Sequence, residues 1–200
     1  MTRAPSPDER QRDAVRSRQR LIAAALEEFA AKGYAGARVK EIARRAGLNP
    51  QLITYYFGGK EGLYRAVGGR WLEVEQGFAD PAVPLDELIA RYLTATLGHP
   101  QLARLLVWEG LADAAGDGDR APAAEPGSED LSDLRRRQAE GELAPELDPA
   151  YVQLGFMGAV LLTVAMPQLV RRVTGLDPGD PEFQERYAEQ LRLMVRRLRA

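Results

Sequence analysis

Two hundred residues, 45% of them hydrophobic, suffice for one sizeable core or for a small domain joined to a larger one. Cysteine is absent and histidine occurs once, at His99, which excludes disulfides, thiol chemistry and zinc sites built on several histidines. The net charge of −2 hides an asymmetry: residues 1–70 carry 14 Lys and Arg against 7 Asp and Glu, a balance of +7, and residues 71–200 carry 13 against 22, a balance of −9. A basic first third beside an acidic remainder points to a local contact with a polyanion.

Taken in order, the start M-T-R-A-P-S-P-D-E-R has no apolar core, so it does not read as a secretory signal. Residues 1–14 are expected to be a disordered basic arm, continued by Arg16, Arg18 and Arg20. Such an arm either contacts phosphate or is a solvated tail. A first helix is predicted from about Val15 to Lys32, with an apolar stripe of Ile22, Ala25, Leu26 and Phe29 and a stop at Gly33. From Val39 to Lys60 the pattern is two short helices joined by a tight turn. Val39, Ile42, Ala43 and Ala46 recur at helical spacing, and Gly47 ends that helix. Asn49 is a good N-cap for the next helix and Pro50 suits its first position. Leu48 and Ile53 have the spacing of a hydrophobic staple. The second helix buries Ile53 and Phe57 and leaves Gln51, Leu52, Thr54 and Tyr55 on a solvent face. A helix-turn-helix presents such a surface to the DNA major groove; the alternative is an ordinary αα-hairpin with a solvated face.

A helix from Lys60 to about Phe78 follows, its apolar side formed by Leu63, Val67, Trp71, Val74 and Phe78, and D-P-A-V-P breaks it at Asp80. Leu85 to Leu97 and Pro100 to about Ala115 are apolar helices separated by His99, which reads as a loop residue. Gly116 to Gly127 reads as a long mobile loop. A shorter helix is predicted over Asp130 to Glu140 and a long apolar one from Asp148-Pro149 to about Val164, which Pro167 should kink or shift. Asp180-Pro181 opens a last helix with a stripe of Phe183, Tyr187, Leu191, Met194, Val195 and Leu198. No strand is needed anywhere. The longest nearly apolar run, Leu154 to Pro167, is too short to span a bilayer, so no membrane partner is expected and a cytoplasmic protein is the default.

The motifs A-A-L-E-E-F-A-A-K-G-Y at Ala24, E-I-A-R-R-A-G-L at Glu41 and I-T-Y-Y-F-G-G-K-E-G-L at Ile53, in that order, resemble the N-terminal DNA-binding domain of the TetR family of bacterial transcriptional regulators. The resemblance runs from about Arg18 to Leu63. It implies an all-α protein: a three-helix helix-turn-helix domain at residues 15–62, then a larger helical effector-binding and dimerisation domain at 63–200. By the same resemblance, the positions that meet DNA are Arg38, Lys40, Asn49, Pro50, Gln51, Leu52, Thr54, Tyr55, Tyr56 and Lys60. Gln51 can read a purine edge, Leu52 a thymine methyl, and the hydroxyls and Lys60 phosphate oxygens. Arg38 stands where relatives often have a capping Thr, and Gly59 where a capping Ser is common.

For the C-terminal domain the resemblance implies a cavity for a small, mostly apolar effector. Tyr92, Thr96, Trp108, Met157 and Leu161 are its candidate lining; the same residues also suit plain core packing. A homodimer is expected to join through Phe156, Val160, Tyr187, Leu191, Met194, Val195 and Leu198. No cofactor, metal or catalytic group is expected, since no paired carboxylates, Gly-rich phosphate loop or G-x-S-x-G occurs. The resulting expectation is a repressor released from a roughly palindromic double-stranded operator by its effector. The alternatives are a ligand-free architectural DNA-binding protein and a helical enzyme.

Overall fold

A computed structural model describes residues 6–115 and 129–199, for residues 7–10 and 114–115 the backbone alone. Among the described residues there are ten helices and no strand: α1 Pro7–Gly36, α2 Val39–Ala46, α3 Gln51–Phe57, α4 Lys60–Gln76, α5 Leu85–Gly98, α6 Pro100–Ala115, α7 Ser132–Ala139, α8 Pro149–Ala165, α9 Pro167–Thr174 and α10 Pro181–Arg196. They form two compact units, Met1–Trp71 with Leu105–Ala123, and Leu72–Arg104 with Ala124–Ala200. This differs from a boundary at residue 62: α4 belongs to the first unit as far as Trp71, and α6 joins that unit from Leu105. The loop expected over Gly116 to Gly127, like the first five residues of the arm, lies outside the described residues.

In the first unit, Leu21, Ala25 and Phe29 of α1, Ile42 and Ala43 of α2, Ile53 of α3 and Leu63 and Val67 of α4 are completely buried. An aromatic trio closes the core. Phe29 lies 4.9 Å from Tyr64 and 6.1 Å from Tyr34, and Tyr34 meets Tyr64 edge-on at 5.1 Å. Helix α1 begins eight residues before the expected Val15, so the basic segment from Pro7 onward is helical and not a disordered arm. At its other end Gly33 leaves helical geometry at φ 68°, ψ 177°, a region open only to glycine. Trp108 of α6 packs there: a β-carbon on Gly33 would sit 3.0 Å from the indole, whose Nε1 donates to the Ala30 carbonyl at 3.1 Å. Close by, the Tyr64 hydroxyl donates to Glu109 at 2.7 Å, and burial first, then that carboxylate, pushes the phenol pKa upward.

The second unit is built on α5. Leu85, Leu88, Ile89 and Leu93 meet Leu134 of α7, Leu143, Val160 of α8, and Ala188, Leu191 and Val195 of α10 in one cluster. Arg137, wholly buried, holds the cluster's edge: it pairs with Asp133 at 2.6 Å and donates to the Val83 carbonyl at 2.7 Å. The Asp148 side chain caps α8 by accepting from the Ala150 amide at 2.9 Å. Pro167 does more than kink the chain. The helix stops at Met166 and restarts as α9 with a bend of 93° between the two axes. No single helix among the described residues is long and apolar enough to cross a membrane.

The expected dimer face changes with this packing. Val160, Leu191 and Val195 are buried in the second unit's own core and are not available to a partner, while Phe156, Tyr187 and Leu198 pack against that core partly buried. The large exposed apolar side chains of this unit include Tyr151, Leu154, Met166, Leu193 and Met194.

Candidate nucleic-acid interface

Helix α2 ends as its sequence requires. Gly47 takes the left-handed conformation at φ 62°, ψ 38°, its amide donates to the Arg44 carbonyl at 3.1 Å, and the Leu48 amide returns to Ala43 at 3.0 Å. This paired cap satisfies two carbonyls and turns the chain sharply. Asn49 Oδ1 then accepts from the Gln51 amide at 2.9 Å, and Pro50 already has helical angles of −55° and −29°. Asn49 therefore caps α3 in substance, with Pro50 in its first turn. Arg38, at the N-cap of α2, makes no side-chain cap hydrogen bond, as expected for a residue without a short acceptor.

On α3, Ile53 is completely buried and anchors the helix, and the side opposite it faces out. Gln51, Thr54 and Tyr55 are exposed, Tyr55 by 79%. Leu52 and Tyr56 are half-buried, so the outward face is narrower than the sequence implies. Tyr55 and Tyr56 meet edge-on at 5.0 Å. Phe57, expected in the core, is only half-buried, with the Arg18 guanidinium 5.3 Å over its ring. Arg38 and Lys40, at the start of α2, and Asn49 and Pro50, in the turn before α3, are exposed. The Lys60 ammonium is 4.4 Å from the Tyr34 ring centre and 3.4 Å from the Ala35 carbonyl, which places a held positive charge at the start of α4.

The electrostatics behind α3 contain a group that the apolar pattern did not single out. Glu28 is completely buried, paired with Lys32 at 2.6 Å and with Arg45 of α2 at 3.4 Å; its Oε2 lacks a hydrogen bond. It follows Leu21 and Ala25 by seven and three positions, so helical spacing alone would have placed it inside. On α2, Glu41 is held near a pKa of about 2, chiefly by its hydrogen bond to Arg44. Of the candidate lining residues for an effector, Trp108 belongs to the first unit, whereas Tyr92, Thr96, Met157 and Leu161 belong to the second. Tyr92 donates to the Glu75 carboxylate and stands edge-on to Phe78 at 4.9 Å; Thr96 is buried, and Met157 and Leu161 are half-buried.

A basic three-helix head with a glycine-capped turn and an exposed polar helix face, followed by a larger helical unit, defines a helix-turn-helix DNA-binding regulator. Residues 21–67 match the family model for bacterial regulatory proteins of the tetR family, and residues 84–197 match the tetracyclin repressor-like C-terminal domain. The chain belongs to the TetR family and is a DNA-binding transcriptional regulator, not an enzyme. It is 30% identical over 195 residues to the HTH-type transcriptional repressor SCO4008 of Streptomyces coelicolor, covering 93% of this chain and 98% of that one. It is 34% identical over 112 residues to the HTH-type transcriptional regulator RutR of Escherichia coli K12, covering 52% and 53%. Among solved structures it is similar to SCO4942 from Streptomyces coelicolor, at a TM-score of 0.68 and 28% identity, covering 89% of this chain and 97% of that one.

Proposed function

We propose that the protein is a homodimeric repressor of a roughly palindromic operator, released by a small, mostly apolar molecule bound in the second unit. The observation that carries the dimer is α8. It is strongly apolar, yet only Val160 and Thr163 on it are buried. Tyr151 and Leu154 are 74% and 63% exposed, and Gly155 and Gly158 follow on the same side with open space beyond them. Leu193 and Met194 add exposed apolar surface on α10. Exposed apolar surface of this kind marks an interaction site, and a second copy supplies a matching one. The repressor sense is supported by the full-length similarity to SCO4008, which is a repressor. The effector is supported by family membership and by the apolar character of α5 and α8 around Tyr92, Thr96, Met157 and Leu161.

Release then requires that the effector favour a dimer whose two α3 helices no longer match successive major grooves, about 34–36 Å apart on B-DNA. The test is to select a duplex from a random pool with the full-length protein and to determine stoichiometry on it by sedimentation. A lipophilic library is then screened for compounds that both raise the melting temperature and dissociate that duplex. Two protomers per duplex and at least one such compound are expected. A monomer on the duplex removes the dimer, and a library without any releasing compound favours the ligand-free architectural alternative.

A further inference from the structure

The N-terminal part of α1 has no place in the function described so far. Helix α1 starts at Pro7, whereas the match to the family's DNA-binding model starts at residue 21. At 1.5 Å per residue, about 20 Å of helix precede the shared domain. From residue 11 to residue 20 no side chain is buried; Ala14 and Ser17 are half-buried and the other eight are exposed. Over those ten positions Arg12, Arg16, Arg18 and Arg20 face a single acid, Asp13. Arg12, Arg16 and Arg20 recur every fourth residue and so form one stripe. Gln11, Arg12, Val15, Arg16 and Gln19 lie together along one exposed side of the segment.

The stripe is continuous with the helix-turn-helix. Arg18, outside the stripe, lies over Phe57, the last residue of α3, at 5.3 Å. Arg20 reaches the turn between α2 and α3, where its Nη2 stands 2.8 Å from the position of a β-carbon on Gly47. Arg16 and Arg12 follow one and two helical turns further out. This part of α1 buries no side chain from residue 11 to residue 20 and carries donors on its exposed side. We infer that residues 11–20 are a second DNA-contacting element, in which Arg12 and Arg16 neutralise phosphates flanking the half-site that α3 reads. This rests on DNA binding through α3 and extends the contact beyond the shared domain. Guanidinium and amide donors around Val15 suit a sugar-phosphate strand, which offers acceptors at regular spacing and no sequence information.

The experiment compares full-length wild type with Arg12→Ala/Arg16→Ala, Arg12→Lys/Arg16→Lys and Gln51→Ala/Tyr55→Ala. Affinity is measured against salt concentration on a mixed-sequence duplex and on the duplex that wild type selects from a random pool. Circular dichroism verifies that helix content is retained, as it should be for exposed positions where alanine favours helix. Each neutralised phosphate contributes about 0.9 to the slope of log K against log salt. The double alanine variant is expected to lose about 1.8 of slope per bound protomer, about 3.6 for a dimer, and to weaken equally on both duplexes, leaving their ratio unchanged. The double lysine variant should keep the wild-type slope. A double alanine variant with wild-type slope and affinity overturns the inference while leaving α3 untouched. The Gln51/Tyr55 variant binding like wild type overturns the α3 reading instead, and a wild type that binds neither duplex overturns both.

Discussion

Gly33 is constrained twice. Its φ of 68° with ψ of 177° excludes other residues, and its missing side chain leaves the space that the Trp108 ring fills. Gly33→Ala should destabilise the first unit by about 1–3 kcal/mol through backbone strain alone, read as a lower denaturation midpoint. Trp108→Phe keeps most of the ring packing but removes the donor to Ala30, so a loss of roughly 1 kcal/mol is expected. On α3, the exposed Gln51 carries both a donor and an acceptor. Gln51→Ala should change the ranking of operator variants, by about 1–3 kcal/mol at the base pair it reads. Tyr55→Ala should weaken all of them alike, since a phenol on phosphate positions the helix without reading bases. Unchanged ranking after Gln51→Ala, measured on a set of single-base operator variants, would remove Gln51 from the reading set.

Among the elements, α10 shows how a correct stripe can be given the wrong neighbour. Phe183, Tyr187, Leu191 and Val195 do share one side of the helix, but helix α5 of the same chain covers Leu191 and Val195. Periodicity identifies which side is apolar and is silent about what packs on it. Leu154→Asp with Met194→Asp, both at exposed positions, is therefore the informative pair: monomers by sedimentation, with helix content retained and operator affinity reduced. Leu191→Asp with Val195→Asp should unfold the second unit, because it buries two unpaired charges. The helix-turn-helix was legible because each boundary has a local cause: Gly47 for the cap, Asn49 and Pro50 for the restart, Ile53 for the anchor. The early start of α1 also has a local signature. Ser6, Pro7, Asp8 and Glu9 form a helix-opening signature that its mixed charge and prolines disguised as disorder. The break at Met166 is less readable, since a proline announces a kink or a new helix equally well and packing decides which.

At the scale of the molecule, acidic residues tie the second unit together. Burial would raise the pKa of Asp86, yet its 2.7 Å hydrogen bond to Arg196 and the nearby charge of Arg199 outweigh that and hold it below the usual aspartate value. Asp133 is lowered in the same way between Arg136 and Arg137, again against burial. A depressed carboxylate stabilises the fold above its unfolded pKa of about 3.9, and the contribution disappears as pH falls toward the lower folded value. Arg196→Ala should therefore melt below wild type at neutral pH, with the gap closing as pH falls under about 4; a gap independent of pH would show that the pair contributes through packing alone. The placement of Trp108 has an optical consequence. The chain's two tryptophans, Trp71 and Trp108, both fall in the first unit, and the second contains none. Indole emission is thus a built-in label for the DNA-binding unit, whereas far-ultraviolet dichroism sums over both. If the two traces separate during a denaturant titration, their separation measures how independently the two units unfold, without any dye being attached.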